Sequence, residues 1–123
     1  MPDLRDELED LSVAGCIATC APVVLELLHS ARTTDEYRAV RDGFGRVFSC
    51  PIGPPECDRA LGIYDALAAR GPKHQRQVGH ADLLIAAAAE AAGVPVLHYD
   101  GDFDLITEVS GIDTRWIRPK GSL

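Results

Sequence analysis

Acidic residues stand at three places where the hydrophobic pattern has no use for them. Glu26 breaks the apolar run PVVLELL, Asp82 lies at the start of HADLLIAAAAEAAG, and Asp100 and Asp102 follow directly on VPVLHY. A carboxylate beside a core element is costly unless it is solvated, paired or bound to a cation. Carboxylates that converge at the ends of such elements make the oxygen donor set that a hard divalent cation prefers. Each residue also has a plainer reading. Asp82 on a helix has Ile85, Ala86 and Ala89 one turn on, so its stripe faces protein, yet a first-turn Asp also complements the helix dipole. Glu26 has Pro22, Val23, His29 and Ser30 as helical neighbours, a mixed face that suits a solvated side chain. Asp-Gly is common turn chemistry, although the carboxyl end of a strand in a parallel sheet is also where ligands bind.

Other reactive groups are less informative. His29, His74, His80 and His98 are scattered, form no metal-binding pair on a helix and are expected at the surface, with His80 placed to cap a helix or contact RNA. The cysteines Cys16, Cys20, Cys50 and Cys57 match no common zinc spacing. They read as reduced thiols, Cys16 and Cys20 being small buried hydrophobes on one face of a strand. There is no glycine-rich phosphate loop and no serine nucleophile elbow.

The chain has 123 residues, 46% of them apolar, and a formal net charge of −7. That length suits one domain, here residues 1–123, and the composition argues against disorder. No apolar run approaches the ~18 residues of a membrane span. The N-terminus MPDLRDELEDL lacks the basic and apolar regions of a secretory signal, so a cytoplasmic location is expected. The negative charge opposes general attraction to a phosphate backbone. A nucleic acid would therefore need a local basic patch or a bridging metal, and Arg32, Lys73, Arg76, Arg118 and Lys120 are the candidates to offset phosphate charge.

The elements that must position these groups follow from periodicity. Leu4, Leu8 and Leu11 mark a helix from Pro2 to Val13, and Gly15 ends it. CIATCA, Cys16 to Ala21, reads as a buried strand, and Pro22 opens a helix that runs to about Arg32. Thr34 caps a third helix with Tyr37, Val40 and Phe44 on one face. VFSCPIGPPE is a turn-rich connector, and a helix resumes at Cys57 and ends at Gly71-Pro72. PKHQRQVGH is a polar, basic loop or frayed helix end. The alanine-rich helix closes at Gly93; VPVLHY is a strand, DGD a turn, FDLITEVSG a short helix and TRWIR a last strand. This is an α/β pattern.

With these residues in place, the chain resembles a PIN-domain ribonuclease of the VapC toxin type. VLELLHSAR resembles the family's second helix, with its acidic residue at Glu26. HADLLIAAAAEAAGVPVLHYDGDFDLI resembles its most recognisable stretch, and TRWIRP its last strand. The resemblance runs from about residue 4 to the end. It implies a three-layer α/β/α fold with a parallel sheet, a Mg²⁺ or Mn²⁺ site held by Glu26, Asp82 and Asp100 with Asp102 as helper, and cleavage of RNA. Glu26 would act through water. It further implies a cognate antitoxin and a homodimer. The family starts with a central strand that ends in a ligand aspartate followed by Ser or Thr. This chain starts with what resembles the family's first helix, and neither Asp3 nor Asp6 sits in an apolar strand. Val23 stands where the family often has a hydroxyl. The expectation is a late-starting chain without the first strand, with open edges on CIATCA and VPVLHY and reduced stability. A non-catalytic binding module for antitoxin or RNA is the alternative. A phosphorelay receiver fits less well, because no adjacent acidic pair follows an opening strand.

Overall fold

Short parallel strand pairs, each bridged by helices, make up the chain, and the computed structural model describes residues 4–123. Two compact units divide it, the first ending at Cys50 and the second beginning at Pro51.

In the first unit, α1 spans Leu4–Val13; the expected start at Pro2 lies outside the described residues. Gly15 turns the chain at φ 71°, a left-handed value that only glycine adopts cheaply. β1 spans Ala18–Thr19, α2 Ala21–His29, α3 Thr34–Phe44 and β2 Phe48–Ser49. β1 is shorter than the expected Cys16–Ala21 strand because α2 starts at Ala21, with Pro22 in its first turn and extended Cys20 as its N-cap. The cap of α3 is Thr33 rather than Thr34: its Oγ1 accepts the Glu36 N–H at 3.1 Å, and Glu36 Oε2 accepts the Arg32 N–H at 2.8 Å. β2 lies inside the segment expected to be a connector. It runs parallel to β1, Ala18 opposite Phe48 and Thr19 opposite Ser49, and the Cys50 N–H donates to Thr19 O at 2.7 Å. Cys20 and Cys50 are buried, as expected of Cys20, whereas Cys16 is exposed.

In the second unit, α4 spans Pro54–Ala69, α5 Pro72–Gln77, α6 His80–Ala92, β3 Val96–His98, α7 Asp102–Ser110 and β4 Thr114–Trp116. α4 begins three residues ahead of the expected Cys57, on the Pro54-Pro55 pair that suits a first turn, and Cys57 is exposed. PKHQRQ, expected as a loop or frayed helix end, forms a short helix of its own. The core is built from Ile63 and Leu67 of α4, Ala86 and Ala87 of α6, Val96 of β3 and Phe103 and Ile106 of α7. Buried alanines let α6 approach its neighbours closely, and Gly93 (φ 72°) and Gly111 (φ 75°) terminate α6 and α7 in left-handed caps. β3–α7–β4 is a parallel crossover: Val96, Leu97 and His98 stand opposite Thr114, Arg115 and Trp116. No helix among the described residues is long and apolar enough to cross a membrane.

Candidate metal centre

Three backbone ends in the second unit deliver three carboxylates to one place. Asp82 is in the first turn of α6, Asp100 follows β3, and Asp102 opens α7. One oxygen from each lies within 4.8 Å of the other two; Asp82 and Asp102 are half-buried and Asp100 is exposed. Local hydrogen bonds set the geometry. Asp100 Oδ1 accepts the Asp102 N–H at 2.9 Å in an Asx-turn and so satisfies the first free N–H of α7, whose N-cap position is Gly101. The Asp100 N–H donates to His98 Nδ1 at 3.2 Å, and Gln77 Nε2 donates to Asp102 Oδ1 at 3.1 Å. Asp82 Oδ2 folds back over the start of α6, 3.8 Å from where a Cβ on Gly79 would stand. The positive ends of α6 and α7 both face these groups and offset part of their mutual repulsion.

This donor set fits a divalent cation. Ligands on opposite sides of Mg²⁺ stand about 4.2 Å apart, and all are oxygens. The three carboxylate oxygens all lie within 4.8 Å of one another, near the largest separation that two ligands of one such ion can have.

Glu26 is exposed on α2, in the other unit, and is not one of the three. Of the candidate cations, Arg32, Lys73, Arg76 and Lys120 are exposed and Arg118 is half-buried. His98 departs from the surface position expected of it. Only 7% exposed, it packs between the rings of Phe103 and Trp116, each at 4.9 Å, and its Nε2 is buried without a partner. Burial is the main reason its pKa is lowered, with Asp104 and Asp100 pulling the other way. Its inward position was readable, since His98 alternates with buried Val96 at the strand period of two. Gln77 and Asp104 were also missed. Asp104 Oδ1 accepts the Trp116 indole N–H at 3.0 Å, a partnership between distant segments that no local spacing announces. A separate hollow of about 380 Å³ between α4 and α6, lined by Ala60, Leu61, Tyr64 and Leu83 among others, is apolar and contains none of the carboxylates.

Parallel βαβ units that gather aspartates at a strand end and at helix N-termini define a class, and the sequence agrees with it: residues 2–109 match the PIN domain, and the chain belongs to the PIN-domain family. The PIN fold expected from the resemblance is borne out, with a parallel strand pair in each unit. Among individual relatives, the chain is 39% identical to ribonuclease VapC18 of Mycobacterium tuberculosis over 110 residues, covering 89% of this chain and 80% of that protein. It is 40% identical to ribonuclease VapC51 of the same organism over 122 residues, covering 99% of this chain and 87% of that one. Among solved structures it is similar to VapBC2 from Rickettsia felis, determined bound to a DNA fragment from their promoter. That match has a TM-score of 0.61 at 19% identity, covering 95% of this chain and 87% of the other, and it speaks for the fold alone.

Proposed function

We propose that this chain is a metal-dependent endoribonuclease toxin, using Mg²⁺ or Mn²⁺, that is neutralised by a cognate antitoxin. The observation that carries the reading is the convergence of Asp82, Asp100 and Asp102 within 4.8 Å in a chain whose relatives at 39% and 40% identity are ribonucleases. Asp82 and Asp100 would hold the cation, with Asp102 supporting. When bound, the cation supplies Lewis-acid polarisation of the scissile phosphate and lowers the pKa of the attacking water. The protein's part is to hold the carboxylates in register, which the helix starts and the Asp100–Asp102 backbone cap do. The family resemblance implies products with a 5′-phosphate and a 3′-hydroxyl. An antitoxin would find apolar area in the first unit, where Val13, Leu25, Leu27 and Phe48 are all exposed. Association into homodimers belongs to the same reading.

The test is cleavage of labelled RNA by the full chain with Mg²⁺ or Mn²⁺, with and without chelator. Asp82→Asn and Asp100→Asn are each expected to cost more than the roughly 10–100-fold typical of losing an outer-shell partner. Unchanged cleavage in both variants, in a preparation free of contaminating nuclease, would overturn the assignment. Absence of any cation-dependent stabilisation would favour a non-catalytic binding module instead.

A further inference from the structure

The tail after β4 returns to the Asp100–Asp102 turn and sets one cation beside its middle residue, Gly101. Trp116 ends β4, its indole N–H bonded to Asp104 at 3.0 Å. Residues 119–122 then form a hydrogen-bonded turn, Ser122 N–H to Pro119 O at 3.0 Å, with Gly121 at φ 81° in its third position. That is the pattern of a type II turn, in which Lys120 takes the second position at the corner. Beyond the turn, the Leu123 N–H donates to the Tyr99 hydroxyl at 2.8 Å, and the Tyr99 ring meets Trp116 edge-on at 5.4 Å. The turn is thus tied down on both sides.

Its position sets the Lys120 ammonium 5.6 Å from the centre of the Trp116 ring. The same nitrogen lies 3.6 Å from where a Cβ on Gly101 would stand, and Gly101 is the residue between Asp100 and Asp102. Lys120 itself is exposed, and it takes part in none of the ion pairs among the described residues. A lysine beside carboxylates would ordinarily spend its charge on them. This one is braced on an indole face instead, its donors left for something else.

Charge identifies what that is. Three carboxylates and one dication leave the acidic group with a formal charge of −1, which repels the singly negative phosphodiester of RNA. One further cation at its rim removes that penalty. We infer that Lys120, held by Trp116 and the Pro119–Ser122 turn, is a substrate-binding residue that contacts a non-bridging oxygen of an RNA phosphate at the acidic site. This rests on the ribonuclease reading and assigns that site a phosphate contact.

The experiment compares the full-length wild-type chain with Lys120→Gln and Lys120→Arg. Cleavage of a fluorogenic single-stranded RNA is followed over a range of salt, and Mn²⁺ affinity is measured separately by electron paramagnetic resonance. One phosphate contact on a single strand contributes about 0.7 to the salt slope, so a fourfold rise in salt should weaken RNA engagement about 2.6-fold more in wild type than in Lys120→Gln. KM should rise in Lys120→Gln with kcat little changed, Lys120→Arg should restore it, and Mn²⁺ affinity should hold or tighten as a neighbouring cation is lost. An unchanged salt slope in Lys120→Gln overturns the inference, as does a fall in Mn²⁺ affinity that tracks the KM change, which would make Lys120 a structural support. If the wild-type chain neither binds nor cleaves RNA, the ribonuclease reading itself fails, an outcome separate from either of these.

Discussion

Asp100→Asn separates a metal centre from an ordinary acidic turn, because it should stabilise the cation-free protein while abolishing its response to metal. Asp100 has two carboxylate neighbours with oxygens within 4.8 Å. At that distance each like-charge pair costs about 1 kcal/mol at the dielectric of water, appropriate to an exposed group, so the repulsion removed is about 2 kcal/mol. Against this, a negative charge at the start of α7 is worth up to about 1 kcal/mol through the helix dipole, and that is lost. Asparagine keeps the oxygen that accepts the Asp102 N–H, so the cap survives. The net expectation is a gain of about 1 kcal/mol, or about 4 °C in Tm for a chain of this length. Metal acts oppositely. A cation at a hundred times its Kd stabilises the wild-type fold by about 2.7 kcal/mol, or roughly 10 °C, and Asp100→Asn should lose most of that increment. Thermal denaturation followed by circular dichroism, with chelator and then with Mg²⁺ or Mn²⁺, measures both effects. A variant that melts lower without metal yet keeps the wild-type increment would show that Asp100 caps a helix and holds no cation.

Three further outcomes test the frame around the site. Leu67 is fully buried against α6 and α7, so Leu67→Ala should cost about 2–5 kcal/mol in urea unfolding; a loss below about 1 kcal/mol would contradict the packing described. Arg59 forks onto Glu90 at 2.8 and 3.2 Å and reaches Ser110 O at 3.2 Å, linking α4, α6 and the end of α7. The pair is about 40% exposed, so Arg59→Met should cost only about 1 kcal/mol, and the difference from wild type should shrink as salt is raised. His98, its pKa lowered mainly by burial, makes stability depend on pH. The unfolded chain takes up the proton first, so this contribution is complete above the unfolded pKa of about 6.5 and is lost as pH falls towards the folded value. Urea unfolding at pH 7.5 and 5.5 should show a smaller acid loss in His98→Asn than in wild type, and equal losses would refute the burial argument.

Much of the second unit was legible because its signals are local. The alanine-rich helix with glycine at its end, the apolar run before DGD and the helix closing at Gly111 all carry their own start or stop chemistry. The three aspartates were legible as residues that break a pattern. What escaped depends on pairing at a distance. β2 is two exposed residues whose strand character comes from the hydrogen-bond ladder to β1, with nothing in Phe48-Ser49 itself to mark it. β1 was overread because CIATCA is apolar throughout, and the backbone turns helical at Ala21 while the apolar run continues. α5 was left between loop and helix because PKHQRQ has no apolar stripe, the usual sign of a packed helix.

That last miss bears on the site. An acidic group this tight is held together against its own charge, so the elements that orient each carboxylate matter as much as the carboxylates. α5 ends at Gln77, whose amide donates to Asp102, giving that residue a neutral partner that adds no positive charge and therefore does not compete with a cation. His98 does the same for the backbone of Asp100, accepting its N–H from a neutral ring packed between two aromatics. Asp104, two residues beyond Asp102 on α7, has its Oδ1 engaged by the Trp116 indole N–H. The only group among these that brings a full positive charge, Lys120, is braced at the rim on Trp116. On the proposed reading, the neutral partners of Asp100 and Asp102 leave those two carboxylates free for a metal, and Lys120 at the edge would receive a phosphate. On the ribonuclease reading, acids this close await a neutralising cation, and a cation titration of the full chain decides between that and a binding module without metal chemistry.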